Sequence, residues 1–135
     1  MRVCLLGMTF VLMFAHNGSI GFHSFSFCLT LHCFLLLVDQ NLLSWLRKQK
    51  ERGYSVVGLE QTSSSVPLSE LSFPERTVLL LGKEKEGIPV KFLQVVDVCV
   101  EIPQLGVIRS LNVHVSASLA IWEYTKQMMN RSIPT

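Results

Sequence analysis

Charged side chains are scarce in this sequence, and the scarcity is local. Lys, Arg, Asp and Glu make up 16% of the 135 residues, against about 25% in an average soluble domain. Arg2 is the only charged residue between Met1 and Val38, whereas the remainder has 11 Lys and Arg and 10 Asp and Glu. Global charge therefore gives no signal for nucleic acid binding. The length allows one domain, preceded by the atypical apolar segment 1–38.

Cysteine pairs at metal or disulfide spacing are also lacking. Three of the four cysteines, Cys4, Cys28 and Cys33, lie in the apolar segment, and Cys99 is far from them. Histidines flank Cys28 and Cys33, but a zinc site of the usual kind needs a second pair of ligands. We therefore expect reduced thiols and no metal site. The sequence also contains no internal repeat and no low-complexity tract.

The apolar segment 1–38 permits three interpretations. Ile20–Val38 has 19 residues without a formal charge, close to the ~20 that cross a bilayer as a helix, but polar residues are spread throughout it. Arg2 followed by Val3–Ala15 resembles a secretory signal with a poor cleavage site. The interpretation we favour is an adventitious amino terminus outside the domain 39–135, either loosely packed and prone to aggregation or covering an exposed sheet edge. A cytoplasmic or nuclear protein is then expected rather than a secreted or membrane protein.

From Asp39 onward, apolar patterns alternate between helical and strand periods. A helix is predicted over Leu42–Arg52, with Asn41 as its cap and Gly53 as its stop. A basic cluster at the end of this helix is interpreted as a solvated face, with RNA contact as the alternative. Its members are Arg47, Lys48, Lys50 and Arg52. Tyr54–Leu59 is predicted as a strand, and Gln61–Pro74 as a connection rich in Ser and Pro.

The second half of the chain continues the alternation. The apolar run Thr77–Leu81 predicts a buried parallel strand, a helix from Pro89 through Val96 follows, and Val98–Ile102 is the next strand. Ser110 is placed to cap a last helix, with Leu111, Val115, Leu119 and Trp122 on one face. This order predicts an α/β fold with a parallel sheet and helices on both of its faces.

Two motifs follow the predicted ends of strands, where ligands bind in open α/β sheets. The first, LLLGKEKEGI at Leu79–Ile88, contains Gly-x-Glu-x-x-Gly. The second, IPQLGVIRSLNV, occupies Ile102–Val113. Each is weak alone, since neither has a phosphate-loop or dinucleotide pattern, but in tandem they resemble the second and third motifs of SpoU/TrmH-type (SPOUT) RNA 2′-O-ribose methyltransferases.

The resemblance implies a C-terminal trefoil knot, bent S-adenosylmethionine as cofactor, a homodimer, and an RNA substrate, in particular a tRNA guanosine. Gly82, Ile102 and Leu111 match cofactor-binding positions of the family. Ser110, Asn112 and Glu84 match its catalytic positions. Their alternatives are structural: Ser110 as a helix cap, Asn112 as a residue of the first helical turn, and Glu84 as a surface carboxylate paired with a neighbouring lysine.

The family's first motif, Asn-x-Gly-x-x-x-Arg, does not occur in the 135 residues of this sequence. The nearest stretch, Asn17–His23, contains no arginine. The missing arginine is implied to help activate the ribose 2′-hydroxyl, and such assistance contributes ~10²–10⁴-fold. We therefore expect a truncated methyltransferase that lacks the first strands of the domain and keeps the cofactor-binding knot. The alternative is a non-catalytic module for binding cofactor or RNA, or for dimerisation.

Overall fold

Strands and helices alternate along most of the chain. The computed structural model describes residues 10–15, 34–35, 39–82, 86–104 and 111–132. Its elements in chain order are β1 Phe10–Ala15, β2 Phe34–Leu35, α1 Asp39–Glu51, β3 Ser55–Leu59, β4 Val66–Pro67, β5 Arg76–Leu81, α2 Val90–Leu93, β6 Val98–Glu101 and α3 Val113–Ser132.

The strands form a six-stranded sheet in the order β2-β1-β5-β3-β6-β4. The central strand β3 runs parallel to β5 and to β6, and β4 runs parallel to β6. At the other side, β1 pairs antiparallel with β5 along its whole length, and β2 pairs antiparallel with β1. The sheet is therefore mixed. The prediction of a parallel sheet is correct for β3, β4, β5 and β6 and wrong for β1 and β2.

The antiparallel pairing explains what part of segment 1–38 does. A parallel β5 at an open edge would leave one row of backbone N–H and C=O groups without partners. Strand β1 supplies those partners, and its Val11 and Leu12 are buried. Phe10–Ala15 thus covers a sheet edge, one of the two outcomes expected for the segment. Apart from Phe34–Leu35, the rest of the segment lies outside the described residues.

Helices cover both faces of the sheet, as predicted. Successive side chains of a strand point to opposite faces, so Val57, Leu79 and Leu81 join the cluster that contains Ala120, Tyr124 and Met128 of α3. The strand residues that alternate with these point to the other face of the sheet and form a second cluster with α1 and α2. Its buried members are Val11, Leu42, Leu46, Val56, Val78, Leu80, Ile88, Phe92 and Val95. The runs SVVGL and RTVLLL are strands because both faces are buried.

Helix α1 ends as predicted but begins earlier. It starts at Asp39, so Asn41 lies inside the helix and does not cap it. At its end, Gly53 has φ +82°, its N–H bonds to the Lys50 carbonyl at 2.9 Å, and Tyr54 N–H bonds to the Gln49 carbonyl at 3.1 Å. These are the two hydrogen bonds of a Schellman motif, which glycine forms without strain.

Shorter elements account for the other differences. The connection Gln61–Pro74 contains the two-residue strand β4, which is too short to have a recognisable period. Helix α2 ends at Leu93 rather than Val96. Among the described residues, no helix is both long enough and apolar enough to cross a membrane. Most of Ile20–Val38, the predicted candidate span, lies outside them.

Candidate functional site

The sheet brings two of the predicted cofactor positions to the same edge. Gly82 follows β5 and Ile102 follows β6, and the two strands flank β3. Their ends are level, because Leu59 pairs with Leu81 on one side and with Val100 on the other. Neighbouring strands lie about 4.8 Å apart, so the two loops begin about 10 Å from each other, on either side of Glu60.

The packing of the loop that Gly82 begins leaves no room for a side chain at position 82. A Cβ atom at Gly82 would lie 2.3 Å from the carbonyl carbon of Gly87 and 2.5 Å from the nitrogen of Ile88. Side-chain atoms do not approach backbone so closely, so residues 82 and 87–88 can pack together only if position 82 is glycine. Gly87 itself has φ +68°, a conformation that favours glycine. The packing of this loop therefore by itself requires glycine at position 82.

Glu60 holds this loop, and the sequence reading did not single it out. Its carboxylate Oε2 accepts a hydrogen bond of 2.8 Å from Ile88 N–H, and its own N–H donates to the Val100 carbonyl at 3.0 Å. The signal that could have found it is an acidic residue directly after a buried strand, at the edge where both motifs begin.

The apolar positions differ in their surroundings. Ile102 is half-buried and packs against the core cluster on the α3 side. Leu111 precedes α3 and is 36% exposed. Ile102 therefore has the support of the core, while Leu111 presents apolar surface to solvent at the amino end of α3. The residues that connect them, 105–110, lie outside the described part of the chain.

Asn112 caps α3. Its Oδ1 accepts a hydrogen bond of 2.8 Å from His114 N–H, and its carbonyl accepts one of 3.0 Å from Ser116 N–H. Because the helix begins at Val113, the cap is Asn112, and the predicted cap at Ser110 is wrong. Ser110 and Glu84, the other predicted catalytic residues, lie outside the described residues.

The predicted apolar face of the last helix exists but does not contact the sheet. Val115, Leu119 and Trp122 are 48%, 41% and 65% exposed, and Met129 is 46% exposed. A different face, with Ala120, Tyr124 and Met128, is buried. The face with Val115, Leu119 and Trp122 was predicted from the spacing of its apolar residues alone. That spacing does not show which of two apolar faces packs against the sheet.

The buried side of α3 is fixed by polar contacts with residues 71–75. The Tyr124 hydroxyl donates to the Glu75 carbonyl at 2.5 Å, and burial raises the pKa of Tyr124 to about 12. The Gln127 amide donates to the Leu71 carbonyl at 2.7 Å and accepts from Phe73 N–H at 2.8 Å. The exposed side is therefore not free to rotate onto the sheet.

The basic cluster of α1 lies at the opposite edge from Gly82. Arg52 is three residues before the start of β3, and Lys50 is engaged in an ion pair of 2.7 Å with Asp97. The guanidinium of Arg76, the first residue of β5, lies 4.5 Å from the ring centre of Tyr54. This placement favours a solvated helix face over an RNA contact beside the candidate site. Within the described ranges, no three His, Cys, Asp or Glu side chains form a group that could hold a metal.

Comparisons with known sequences confirm the family resemblance. The model of the SpoU rRNA methylase family matches residues 31–122. Mouse tRNA (guanosine(18)-2′-O)-methyltransferase TARBP1 is 57% identical over 88 residues, which cover 65% of this chain and 6% of the mouse protein. The Saccharomyces cerevisiae tRNA (guanosine(18)-2′-O)-methyltransferase is 42% identical over 89 residues, again 6% of the yeast protein. This chain thus spans a small fraction of both relatives.

Solved structures have the same fold. The Aquifex aeolicus TrmH/SpoU tRNA modifying enzyme superimposes with a TM-score of 0.62 at 28% identity, over 66% of this chain and 45% of that one. An AdoMet-bound rRNA methyltransferase from Sinorhizobium meliloti superimposes with a TM-score of 0.56 at 27% identity, over 62% of this chain and 32% of that one.

Proposed function

The chain belongs to the SpoU rRNA methylase family, and from this we propose that it takes part in S-adenosylmethionine-dependent 2′-O-methylation of RNA, with a tRNA guanosine as the target. The observation that carries the proposal is the placement of Gly82 and Ile102 at one edge of the sheet. Relatives named as tRNA (guanosine(18)-2′-O)-methyltransferases support the substrate class.

In this proposal, the residues that follow β5 and β6 and those at the start of α3 hold the cofactor. Ile102 supplies an apolar wall backed by the core, and Leu111 supplies a second apolar side chain at the start of α3. Backbone groups after Gly82 and Ile102 can bond to a purine, and an apolar slot with a few polar groups is typical of cofactor sites. When bound, S-adenosylmethionine supplies an activated methyl group.

Asn112 acts in this proposal through its amide. Its Oδ1 is engaged by His114 N–H, which fixes the orientation of the side chain and leaves the amide NH₂ as a donor. Together with Ser110 and Glu84, it orients the ribose. Asn112 would thus have a structural role as the cap and a polar role toward the substrate through different atoms of one side chain.

The second candidate function is a non-catalytic binding or dimerisation module. It is favoured by the absence of Asn-x-Gly-x-x-x-Arg from the 135 residues. Cofactor titration followed by methyl transfer from labelled cofactor to tRNA separates the two functions. Binding together with transfer supports the methyltransferase, binding without transfer supports the module, and a folded chain without binding contradicts the cofactor site.

The chain forms a homodimer through α3 in this proposal. Val115, Leu119, Trp122 and Met129 lie at spacings of four, three and seven residues, which place them on one stripe. A helix that is apolar on two faces is stable when both faces are covered. Within the described part of the chain, only one of the two apolar faces of α3 is covered. A second copy presents the same stripe, so the contact is self-complementary.

A further inference from the structure

We infer that Glu60 is a positioning residue for the loop between Gly82 and Ile88, and that its carboxylate sets the affinity for the cofactor without touching it. The effect on cofactor affinity rests on the proposed function, whereas the contacts between Glu60 and the loop do not depend on it. Glu60 lies outside both motifs, in the segment that follows β3.

The backbone of Glu60 is held at the centre of the sheet. Leu59, the preceding residue, pairs with strands on both sides, and the Glu60 N–H donates to the Val100 carbonyl of β6 at 3.0 Å. The side chain of Glu60 therefore starts from a rigid base, as a residue that positions a loop should.

The carboxylate contacts the end of the loop closely. Besides the 2.8 Å bond from Ile88 N–H, a Cβ atom at Gly87 would lie 2.5 Å from Oε2 of Glu60 and 3.0 Å from Oε1. The carboxylate thus lies across the Gly87–Ile88 backbone. A hydrogen bond to an ionised acceptor is stronger than a neutral one, so this contact can hold the Gly87–Ile88 backbone in place.

The opposite side of the loop end is held by packing. Ile88 is 5% exposed and belongs to the cluster formed with α1 and α2. Its Cδ1 lies so near β3 that a Cβ at Gly58 would be 3.2 Å away. The segment Gly87–Ile88 is therefore fixed between a buried side chain and the Glu60 carboxylate.

This fixed end determines where Gly82 lies. Gly82 packs against the Gly87 carbonyl carbon and the Ile88 nitrogen with no room for a side chain. If the Glu60 contact is lost, the Ile88 N–H must find water or another acceptor, and the backbone against which Gly82 packs moves. Glu60 thereby controls the cofactor edge through two successive contacts.

The experiment compares Glu60→Ala and Glu60→Gln in the full chain, with Glu101→Ala as the matched control. Glu101 is the last residue of β6 at the same edge and is half-buried, but its carboxylate accepts a hydrogen bond of 2.7 Å from the Ser65 hydroxyl. Calorimetric titration with S-adenosylhomocysteine should show about tenfold weaker binding for Glu60→Ala, the effect of one charge-assisted hydrogen bond. Glu60→Gln keeps an acceptor oxygen and should stay within about threefold of the wild type, as should Glu101→Ala.

Hydrogen exchange of the peptide 86–92 is the second measurement. The Ile88 amide should exchange at least about tenfold faster in Glu60→Ala than in the wild type, with little change in Glu60→Gln. Wild-type affinity in a folded Glu60→Ala, or equal weakening in Glu60→Gln, would overturn the inference. If the wild type binds no cofactor, the proposed function fails while the exchange test still decides: unchanged exchange refutes the positioning role and faster exchange supports it.

Discussion

Replacement of Leu12 by alanine tests whether β1 is an integral strand of the domain. Leu12 is 5% exposed and belongs to the core cluster on the α3 side, with Leu79 as its partner on β5. Leu→Ala changes in cores cost about 2–5 kcal/mol, a large part of the about 5–15 kcal/mol that stabilises a typical protein. We therefore expect a melting temperature lower by roughly 10 °C or more.

The assay is thermal and urea unfolding of the purified chain, with Leu119→Ala as the control. Leu119 is 41% exposed, so its truncation should change the free energy of unfolding by about 0.5 kcal/mol or less. If both variants are measured at protein concentrations where the wild type is monomeric, association does not contribute. Equal stability of Leu12→Ala and the wild type would refute the assignment of β1 to the core.

Three further variants test other parts of the structure. Trp122→Glu should shift the chain from dimer to monomer in analytical ultracentrifugation, because it places a charge in the exposed stripe of α3, whereas an unchanged dimer would exclude this face. In the wild type, the free energy of unfolding should fall as pH rises from about 10 to about 12, because Tyr124 has a pKa of about 12 when folded and about 10 when unfolded. Tyr124→Phe should abolish this part of the pH dependence, and an identical alkaline slope in the variant would contradict the role of Tyr124. Gly82→Ala should lower the melting temperature without ligand as well as cofactor affinity, because the added Cβ meets Gly87 backbone at 2.3 Å; a loss of affinity alone would show that the loop accommodates a side chain.

Local patterns made the centre of the fold predictable. Strands β3, β5 and β6 lie within one residue of their predicted ends, because both faces of each are covered and the runs are accordingly apolar. Gly53 stops α1 because a left-handed residue is needed there. The shared edge of Gly82 and Ile102 follows from these strands, since parallel neighbours present their carboxyl ends together.

Features that depend on distant parts of the chain were not predictable in the same way. No period in FVLMFA shows that this strand pairs antiparallel with β5. The partner of Leu12 is Leu79, which lies 67 residues further along the chain. The same limit applies to α3, where only packing separates the buried face of Tyr124 from the exposed face of Trp122. Glu60 was missed because its partner is a backbone N–H, which has no signature in the sequence.

The direction of β1 bears on the proposed activity. Phe10 lies opposite Leu81, at the edge where Gly82 begins, whereas Ala15 lies opposite Arg76 at the other end of β5. A strand parallel to β5 would direct the residues that follow it toward the cofactor edge, where a polar group could activate a ribose hydroxyl. Strand β1 runs the other way, so its last residue, Ala15, lies at the opposite edge, about 17–20 Å from Phe10 for a strand of this length. Strand β1 therefore completes the hydrogen bonding of β5 while its carboxyl end lies away from the cofactor edge, and for this reason we expect the 135 residues to bind cofactor better than they transfer its methyl group.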